Sequence, residues 1–272
     1  MIDALERHTI RGVTAELAVY LQGPQDGTPV IMTHSILSSS AMWDEQAILL
    51  AEKGFRVIRF DTAGHGKSSA PAAIFTMDEL AADTVAVLEA LDIRSAHYVG
   101  LSLGGMSGFG FGILHSGCAL SLVLCDARAD APAEVALPWD DRIALAEQHA
   151  SCAPLADPTI ARWFGESFLK KRPDVGERFR SIARHTSVQG FVCSALAIQS
   201  LNYLGDVGNI EAPTTFIVGA NDGVLPEAMR DIQARVSGSA LDVIPNAGHL
   251  PNIDQPDAFN AALMRHFERL AV

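Results

Sequence analysis

The chain has 272 residues, of which 49% are hydrophobic and 19% are charged. These proportions supply enough apolar side chains for a large buried core and exclude an intrinsically disordered chain. The net charge of −12 argues against nucleic acid or an anionic membrane surface as a partner, because both are bound by basic patches.

The four cysteines show no C-x-x-C pair and no other zinc-ligand spacing. We therefore expect free thiols, no metal centre and a reducing cytoplasm as the location of the protein. The first eleven residues contain Asp3, Glu6 and Arg7 and no long apolar run. We expect neither a signal peptide nor a membrane anchor there.

Strands and helices are predicted to alternate along the first 125 residues. Short apolar runs predict strands, whereas apolar residues at helical intervals, preceded by the N-cap Thr76 or followed by Gly54, predict helices. The alternation predicts an α/β fold with a mostly parallel sheet, right-handed crossover connections and helices on both faces. The predicted strands cover 12–22, 29–33, 55–60, 95–101 and 120–125, and the predicted helices cover 41–53, 77–91 and 103–115.

The alternation stops after the strand that ends near Cys125. Between residues 131 and 204 five prolines interrupt a polar stretch of helical character, which predicts an inserted helical lid, or cap. The core would then consist of residues 1–130 and 205–272. In its second part we predict strands at 213–218 and 240–244 and helices at 226–236 and 257–270.

Residues 100–104, Gly-Leu-Ser-Leu-Gly, fit the G-x-S-x-G pattern of a nucleophile elbow. The spacing has a steric reason, because a serine on a sharp strand-to-helix turn sits where the chain nearly crosses itself, and Gly100 and Gly104 leave room. The turn would present the hydroxyl group of Ser102 at a helix N-terminus, where N–H groups and the helix dipole favour negative charge. Ser102 is therefore the candidate nucleophile.

A serine nucleophile needs a base, and the base needs an acid that orients it. His249 follows the last predicted strand, and Asp222 follows the strand before it. Both side chains would therefore lie at the carboxyl edge of the sheet together with Ser102. In this interpretation Ser102 attacks a carbonyl carbon, His249 moves the proton, and Asp222 orients the imidazole ring.

Asp126 is an alternative acid, because it also directly follows a predicted strand. With Asp222 as the acid, Asp126 would accept hydrogen bonds from the backbone or from Arg128. His65, between two glycines, is interpreted as a residue that orders its loop.

The reaction also needs two backbone N–H groups that stabilise the oxyanion. One is expected from Leu103, the residue after the nucleophile. The second is expected from the loop after the strand 29–33, where Ile36 is the first candidate and Ser35 the next.

These features resemble the α/β-hydrolase superfamily over essentially the whole chain, and within it the 3-oxoadipate enol-lactonase-like branch. The order of nucleophile, acid and base along the chain is the α/β-hydrolase order. The other similar stretches are residues 34–36, 42–43, 61–68, 100–106, 189–198, 212–214, 219–222 and 247–256.

The resemblance implies an α/β-hydrolase fold and hydrolysis of a small carboxylic ester or lactone through an acyl-enzyme on Ser102, without metal or cofactor. Three alternatives stay open. They are a C–C bond hydrolase of the meta-cleavage type, a cofactor-free haloperoxidase- or perhydrolase-like enzyme, and a hydrolase-fold receptor for a small molecule. The partner would be a small molecule, and the protein a monomer or a homodimer.

Aromatic and basic side chains of the insertion are candidates for contacts with the substrate. Trp139, Trp163 and Phe164 would line the pocket or form a small core of the insertion itself. The basic residues would supply a cation for a substrate carboxylate or lie on a solvated helix face. They are Arg142, Arg162, Lys170, Lys171 and Arg172.

Overall fold

The computed structural model describes residues 5–270, and in them eight strands form one sheet. The strands are β1 (Glu6–Arg11), β2 (Glu16–Gln22), β3 (Pro29–Thr33), β4 (Arg56–Phe60), β5 (Ala96–Leu101), β6 (Ala119–Cys125), β7 (Thr214–Gly219) and β8 (Ala240–Ile244). Their order across the sheet is β1-β2-β4-β3-β5-β6-β7-β8. β2 is antiparallel to β1 and β4, and all other neighbours are parallel, which confirms the mostly parallel sheet.

Helices connect the parallel strands. Those before β6 and after β7 are α1 (Asp44–Glu52), α2 (Met77–Ala90), α3 (Leu103–Leu114), α9 (Leu225–Gln233), α10 (Pro251–Asp254) and α11 (Pro256–Leu270). Those between β6 and β7 are α4 (Ala133–Ala136), α5 (Pro138–His149), α6 (Ala153–Lys171), α7 (Pro173–His185) and α8 (Val188–Gln199). Short 3₁₀ turns lie at Ser40–Trp43, Ser116–Cys118 and Val207–Asn209.

The central strands β3, β5, β6 and β7 are buried along almost their whole length. Ile31, Val99 and Phe216 are completely buried. Strands covered on both faces read as continuous apolar runs, which is why these four were predictable from the sequence.

The pairing register brings the carboxyl ends of the central strands to one edge. Thr33, the last residue of β3, lies beside Gly100 of β5, and Leu101 lies beside Cys125, the last residue of β6. The strand order reverses between β3 and β5, since β4 lies on one side of β3 and β5 on the other. Ligands of open α/β sheets bind in the crevice at such a reversal.

The first strand differs from the prediction. No strand was predicted before residue 12, but β1 pairs with β2 along its length, and β2 begins only at Glu16. Five of the six residues of β1 are exposed and most are polar, so β1 lacks the apolar pattern that marks a strand.

Two predicted helix boundaries are confirmed by their local geometry. Thr76 caps α2 in a capping box with Glu79, and Gly54, at φ 87°, follows α1. In the insertion, Pro138, Pro154 and Pro173 occupy the first turns of α5, α6 and α7, where the missing N–H group of proline is not needed.

Within residues 5–270 no helix combines the length and the apolar character required to cross a bilayer. The prediction that no signal peptide begins the chain partly concerns residues 1–4, which lie outside the described residues.

Candidate active site

Ser102 lies on a sharp turn between β5 and α3. Its backbone, with φ 56° and ψ −114°, is in a conformation that residues other than glycine rarely adopt. A Cβ atom on Gly100 would overlap the carbonyl group of Gly104, and one on Gly104 would lie 2.5 Å from the carbonyl oxygen of Thr33. The two glycines therefore have the steric role that the spacing suggested, and such backbone strain is typical of functional sites.

A buried chain of hydrogen bonds supports this turn. The hydroxyl group of Tyr98 donates to the carbonyl oxygen of Gly104 at 2.6 Å, and that of Thr33 donates to Tyr98 at 2.7 Å. The indole N–H of Trp43 donates to the carbonyl oxygen of Thr33 at 3.0 Å. These bonds fix β3, β5 and the first turn of α3 relative to one another.

His249 and Asp222 lie in contact with each other, in the loops that follow β8 and β7. Nδ1 of His249 donates to Oδ2 of Asp222 at 2.5 Å, and the residues are only 4% and 8% exposed. This bond fixes the tautomer, so Nε2 is the nitrogen that can accept a proton.

Nε2 of His249 is buried and has no hydrogen-bond partner among the described residues. The hydroxyl group of Ser102 thus does not donate to it in this structure. Hydrogen bonds between catalytic groups are often long before substrate binds and shorten only in the complex.

The loop that carries His249 is held by residues that the sequence analysis did not single out for this purpose. The N–H group of Gly248 donates to Oδ2 of Asp254 at 2.7 Å. The N–H group of His249 donates to the carbonyl oxygen of Trp163 at 2.9 Å. The indole ring of Trp163 stacks on the imidazole ring, with 6.1 Å between the centroids and 28° between the planes.

Asp222 is surrounded by one cation, one imidazole ring and a second carboxyl group. Nη1 of Arg162 lies 4.0 Å from Oδ1 of Asp222. Burial by itself would raise the pKa of Asp222, but the attraction of His249, with help from Arg162, lowers that pKa below its usual value. Asp222 is therefore ionised at neutral pH.

Asp126, the alternative acid, is the second carboxyl group. Its Oδ1 accepts a hydrogen bond from the N–H group of Gly219 at 2.9 Å. Of the two expected kinds of donor, the structure thus shows the backbone, whereas Arg128 donates to Asp130 at 3.3 Å. Burial first, and then the charge of Asp222, raise the pKa of Asp126 well above its usual value.

Asp126, Asp222 and His249 place potential metal-ligand atoms within 4.8 Å of one another. Nδ1 of His249 is already occupied by Asp222. The cluster therefore has the arrangement of an acid–base pair with an additional carboxyl group, and not that of an open metal site.

The two backbone amides expected to stabilise an oxyanion are available. Among the hydrogen bonds of the described residues, none is donated by the N–H group of Ile36 or Leu103. The N–H group of Ser35 contacts Sδ of Met42 at 3.4 Å. Ile36 is thus better suited than Ser35 to donate to a bound group.

A cavity of about 210 Å³ lies between the loop that follows β3 and the helices that connect β6 to β7. The guanidinium group of Arg142 lies over the ring of Trp139, 4.6 Å from its centroid. Arg162 forms part of the wall and also faces Asp222. Among the lining residues are Ile36, Leu37, Trp139, Asp141, Arg142 and Arg162.

The other two predicted pocket residues lie elsewhere. Trp163 and Phe164 belong to a larger cavity of about 860 Å³ that Ile36 does not line. Both rings are buried and pack against Phe179, so they also form the small core expected within the insertion. The run 170–172 is exposed and pairs locally, for example Lys170 with Glu166, as on a solvated helix face.

Comparisons with known proteins agree with this geometry. A family model of the alpha/beta hydrolase fold matches residues 28–256. The chain is 30% identical over 242 residues to 3-oxoadipate enol-lactonase 2 of Acinetobacter baylyi, with 89% of each protein covered.

Two crystal structures resemble the whole chain. One is a hydrolase from Pseudomonas aeruginosa, with a TM-score of 0.90, 32% identity, and 97% of this chain and 98% of that one covered. The other is the enol-lactonase from Burkholderia xenovorans, with a TM-score of 0.88, 27% identity, and 97% and 100% covered. The chain therefore belongs to the alpha/beta hydrolase fold family as a hydrolase, and it is similar to the 3-oxoadipate enol-lactonases within it.

Proposed function

We propose that the protein hydrolyses a small carboxylic ester or lactone through an acyl-enzyme on Ser102. The observation that carries this proposal is the buried hydrogen bond between His249 and Asp222 at the sheet edge that also carries the strained turn of Ser102. Nucleophile, base and acid are held by three different loops, as a serine-hydrolase triad requires.

Each group then has a defined step. Ser102 attacks the carbonyl carbon while Nε2 of His249 accepts its proton, and the charge on the ring is offset by Asp222. The N–H groups of Leu103 and Ile36 donate to the oxyanion, and each such donor contributes ~3–4 kcal/mol of transition-state stabilisation. His249 next protonates the leaving oxygen and activates the water that releases the acyl group.

In a lactone the leaving alcohol stays covalently attached to the acyl group. Water must therefore reach the acyl-enzyme before the ring closes again. We propose residues 131–204 as a lid on the core formed by residues 1–130 and 205–272, because its helices supply most of the cavity wall. A lid of this kind limits and directs the access of water.

The two arginines of the cavity favour a substrate that carries a carboxylate. Arg142 and Arg162 both line the cavity, and a planar guanidinium group binds a carboxylate through two parallel hydrogen bonds. The enol-lactone of a dicarboxylic acid such as 3-oxoadipate retains one free carboxylate, since only one carboxyl group closes the ring. We propose this class of anionic lactone.

The test is a substrate panel of anionic enol-lactones, neutral lactones, p-nitrophenyl esters and a vinylogous diketone. We expect the anionic lactones to have the highest kcat/KM. Cleavage of the diketone alone would assign C–C bond hydrolysis instead. Tight binding with turnover slower than about one per minute, against the enzyme median of ~10 per second, would indicate a receptor.

A further inference from the structure

Asp126 occupies an unusual position beside the triad. It is the first residue after β6, has φ 43°, and is completely buried. Its N–H group donates to the carbonyl oxygen of Ile217 at 3.0 Å, so the backbone is anchored to β7. Aspartate tolerates the left-handed region better than most residues do, and such a conformation places its side chain among the loops of the site.

The two carboxylate oxygens of Asp126 have different surroundings. Oδ1 accepts a hydrogen bond from the N–H group of Gly219, whereas Oδ2 is buried and receives no hydrogen bond from the described residues. An ionised carboxylate with one bare oxygen in the protein interior is costly, because nothing replaces the water it has lost. One carboxylate oxygen of Asp126 lies within 4.8 Å of a carboxylate oxygen of Asp222 and of a ring nitrogen of His249.

The charges around this cluster allow one ionised carboxylate, not two. Asp222 has both favourable partners, since it accepts a hydrogen bond from Nδ1 of His249 at 2.5 Å and has the guanidinium group of Arg162 at 4.0 Å. Arg128, two residues after Asp126 in the chain, forms an ion pair with Asp130. The adjacent thiol of Cys125 is also buried, and burial raises its pKa, so it stays neutral and supplies no charge. Of two interacting buried carboxyl groups, the one without a cation keeps the proton.

We propose that Asp126 is a positioning residue of the triad, whose protonated Oδ2 donates a hydrogen bond to the Asp222 carboxylate and holds it toward His249. This arrangement satisfies the bare oxygen of Asp126 and removes the repulsion between the two side chains. It also explains why both acids that follow neighbouring strands are present: Asp222 accepts from His249, and Asp126 orients Asp222. The proposal rests on the proposed function only for the roles of Asp222 and His249.

In Asp126→Asn the amide side chain can still form both hydrogen bonds, because its oxygen can accept from the N–H group of Gly219 and its NH₂ group can donate to Asp222. The apolar variant Asp126→Leu removes the donor. We expect kcat/KM to fall about 10- to 100-fold in Asp126→Leu, which corresponds to one lost hydrogen bond to a charged group. The kcat/KM of Asp126→Asn should lie within about threefold of the native value.

The pH profile separates the neutral acid from an ionised one. A carboxylate beside His249 would stabilise the charged ring, so its removal in Asp126→Asn would move the acid limb of kcat/KM about one unit or more to lower pH. A neutral Asp126 predicts that the acid limb of Asp126→Asn stays where it is in the native protein.

Infrared difference spectroscopy at neutral pH reports the protonation state of the Asp126 carboxyl group directly and does not depend on activity. The native-minus-Asp126→Asn spectrum should contain the C=O band of a protonated carboxylic acid, which shifts in D₂O. The exposed control Asp174→Asn should remove only carboxylate bands. Carboxylate bands in the Asp126→Asn difference would overturn the proposal, whereas an acid band in an inactive protein would uphold it and reject the proposed function instead.

Discussion

At the scale of single residues, Arg162 and Arg142 differ in what they contact. Arg162 lines the cavity but also lies 4.0 Å from Asp222, so a change there alters the proposed triad as well as the cavity. Arg142 rests on Trp139 and has no acidic partner within salt-bridge distance among the described residues. Substitution of Arg142 therefore tests the recognition of substrate charge without also altering the surroundings of Asp222.

We predict that Arg142→Gln raises KM for anionic lactones by about 10- to 100-fold and changes kcat/KM for neutral esters less than about threefold, because one charge-assisted hydrogen bond is lost. Steady-state kinetics with matched charged and neutral substrates measure this difference. Lys170→Gln is the control, since Lys170 is exposed and pairs with Glu166. Equal losses for both substrate classes would show that Arg142 maintains the fold of the cavity and does not recognise charge.

At the scale of elements, α6 connects the insertion to the candidate active site. The backbone leaves the helical conformation at Gly165, with φ 71° and ψ 163°. This break interrupts the ladder of helical hydrogen bonds, and the carbonyl group of Trp163 accepts the N–H group of His249 instead. A change in the position of α6 would therefore act on the proposed base His249 as well as on the cavity.

The sequence predicts features that nearby residues determine, such as the turn at Ser102, but not features that depend on contacts between distant residues, such as the position of α6. The Ser102 turn depends on glycines two residues away, and the buried strands carry their own apolar pattern, so local residues determine both. The contact between Trp163 and His249 depends on a helix break that brings together residues 86 positions apart, as their numbers show. The polar edge strand β1 gives no local signal either, because pairing with β2 and not burial forms it.

At the scale of the whole molecule, the opposite end of the sheet carries a buried polar chain. His97, Ser121, His266 and Thr215 are joined by hydrogen bonds of 2.7–2.8 Å near the amino ends of β5, β6 and β7. Arg269 donates to Thr215 at 2.8 Å and terminates the chain. Because a hydroxyl group can donate to a neutral imidazole nitrogen, this chain is satisfied when both histidines are uncharged.

Lowering the pH should therefore decrease the free energy of unfolding. Burial lowers the pKa of His266 and of His65 from 6.5 to about 3, so below pH 6.5 the unfolded chain binds protons that the folded chain does not. The free energy of unfolding must then fall as the pH drops from 6.5 toward 3, by about 1.4 kcal/mol per pH unit for each of these histidines.

Urea unfolding at several pH values between about 7 and 5 measures this slope. In His266→Gln the slope should be smaller, by an amount that approaches about 1.4 kcal/mol per pH unit at a pH about one unit below 6.5, whatever the stability of the variant itself. The exposed His149→Gln is the control and should keep the native slope. An unchanged slope in His266→Gln would mean that His266 is already charged in the folded protein.

The most direct measurement of the central claim is covalent labelling with a fluorophosphonate, followed by mass spectrometry of the intact protein and its peptides. The account predicts a single adduct on Ser102, no adduct in Ser102→Ala, much slower labelling in His249→Gln, and native labelling in the exposed control Ser200→Ala. A folded native protein that stays unlabelled, or that carries the adduct on another serine, would contradict it.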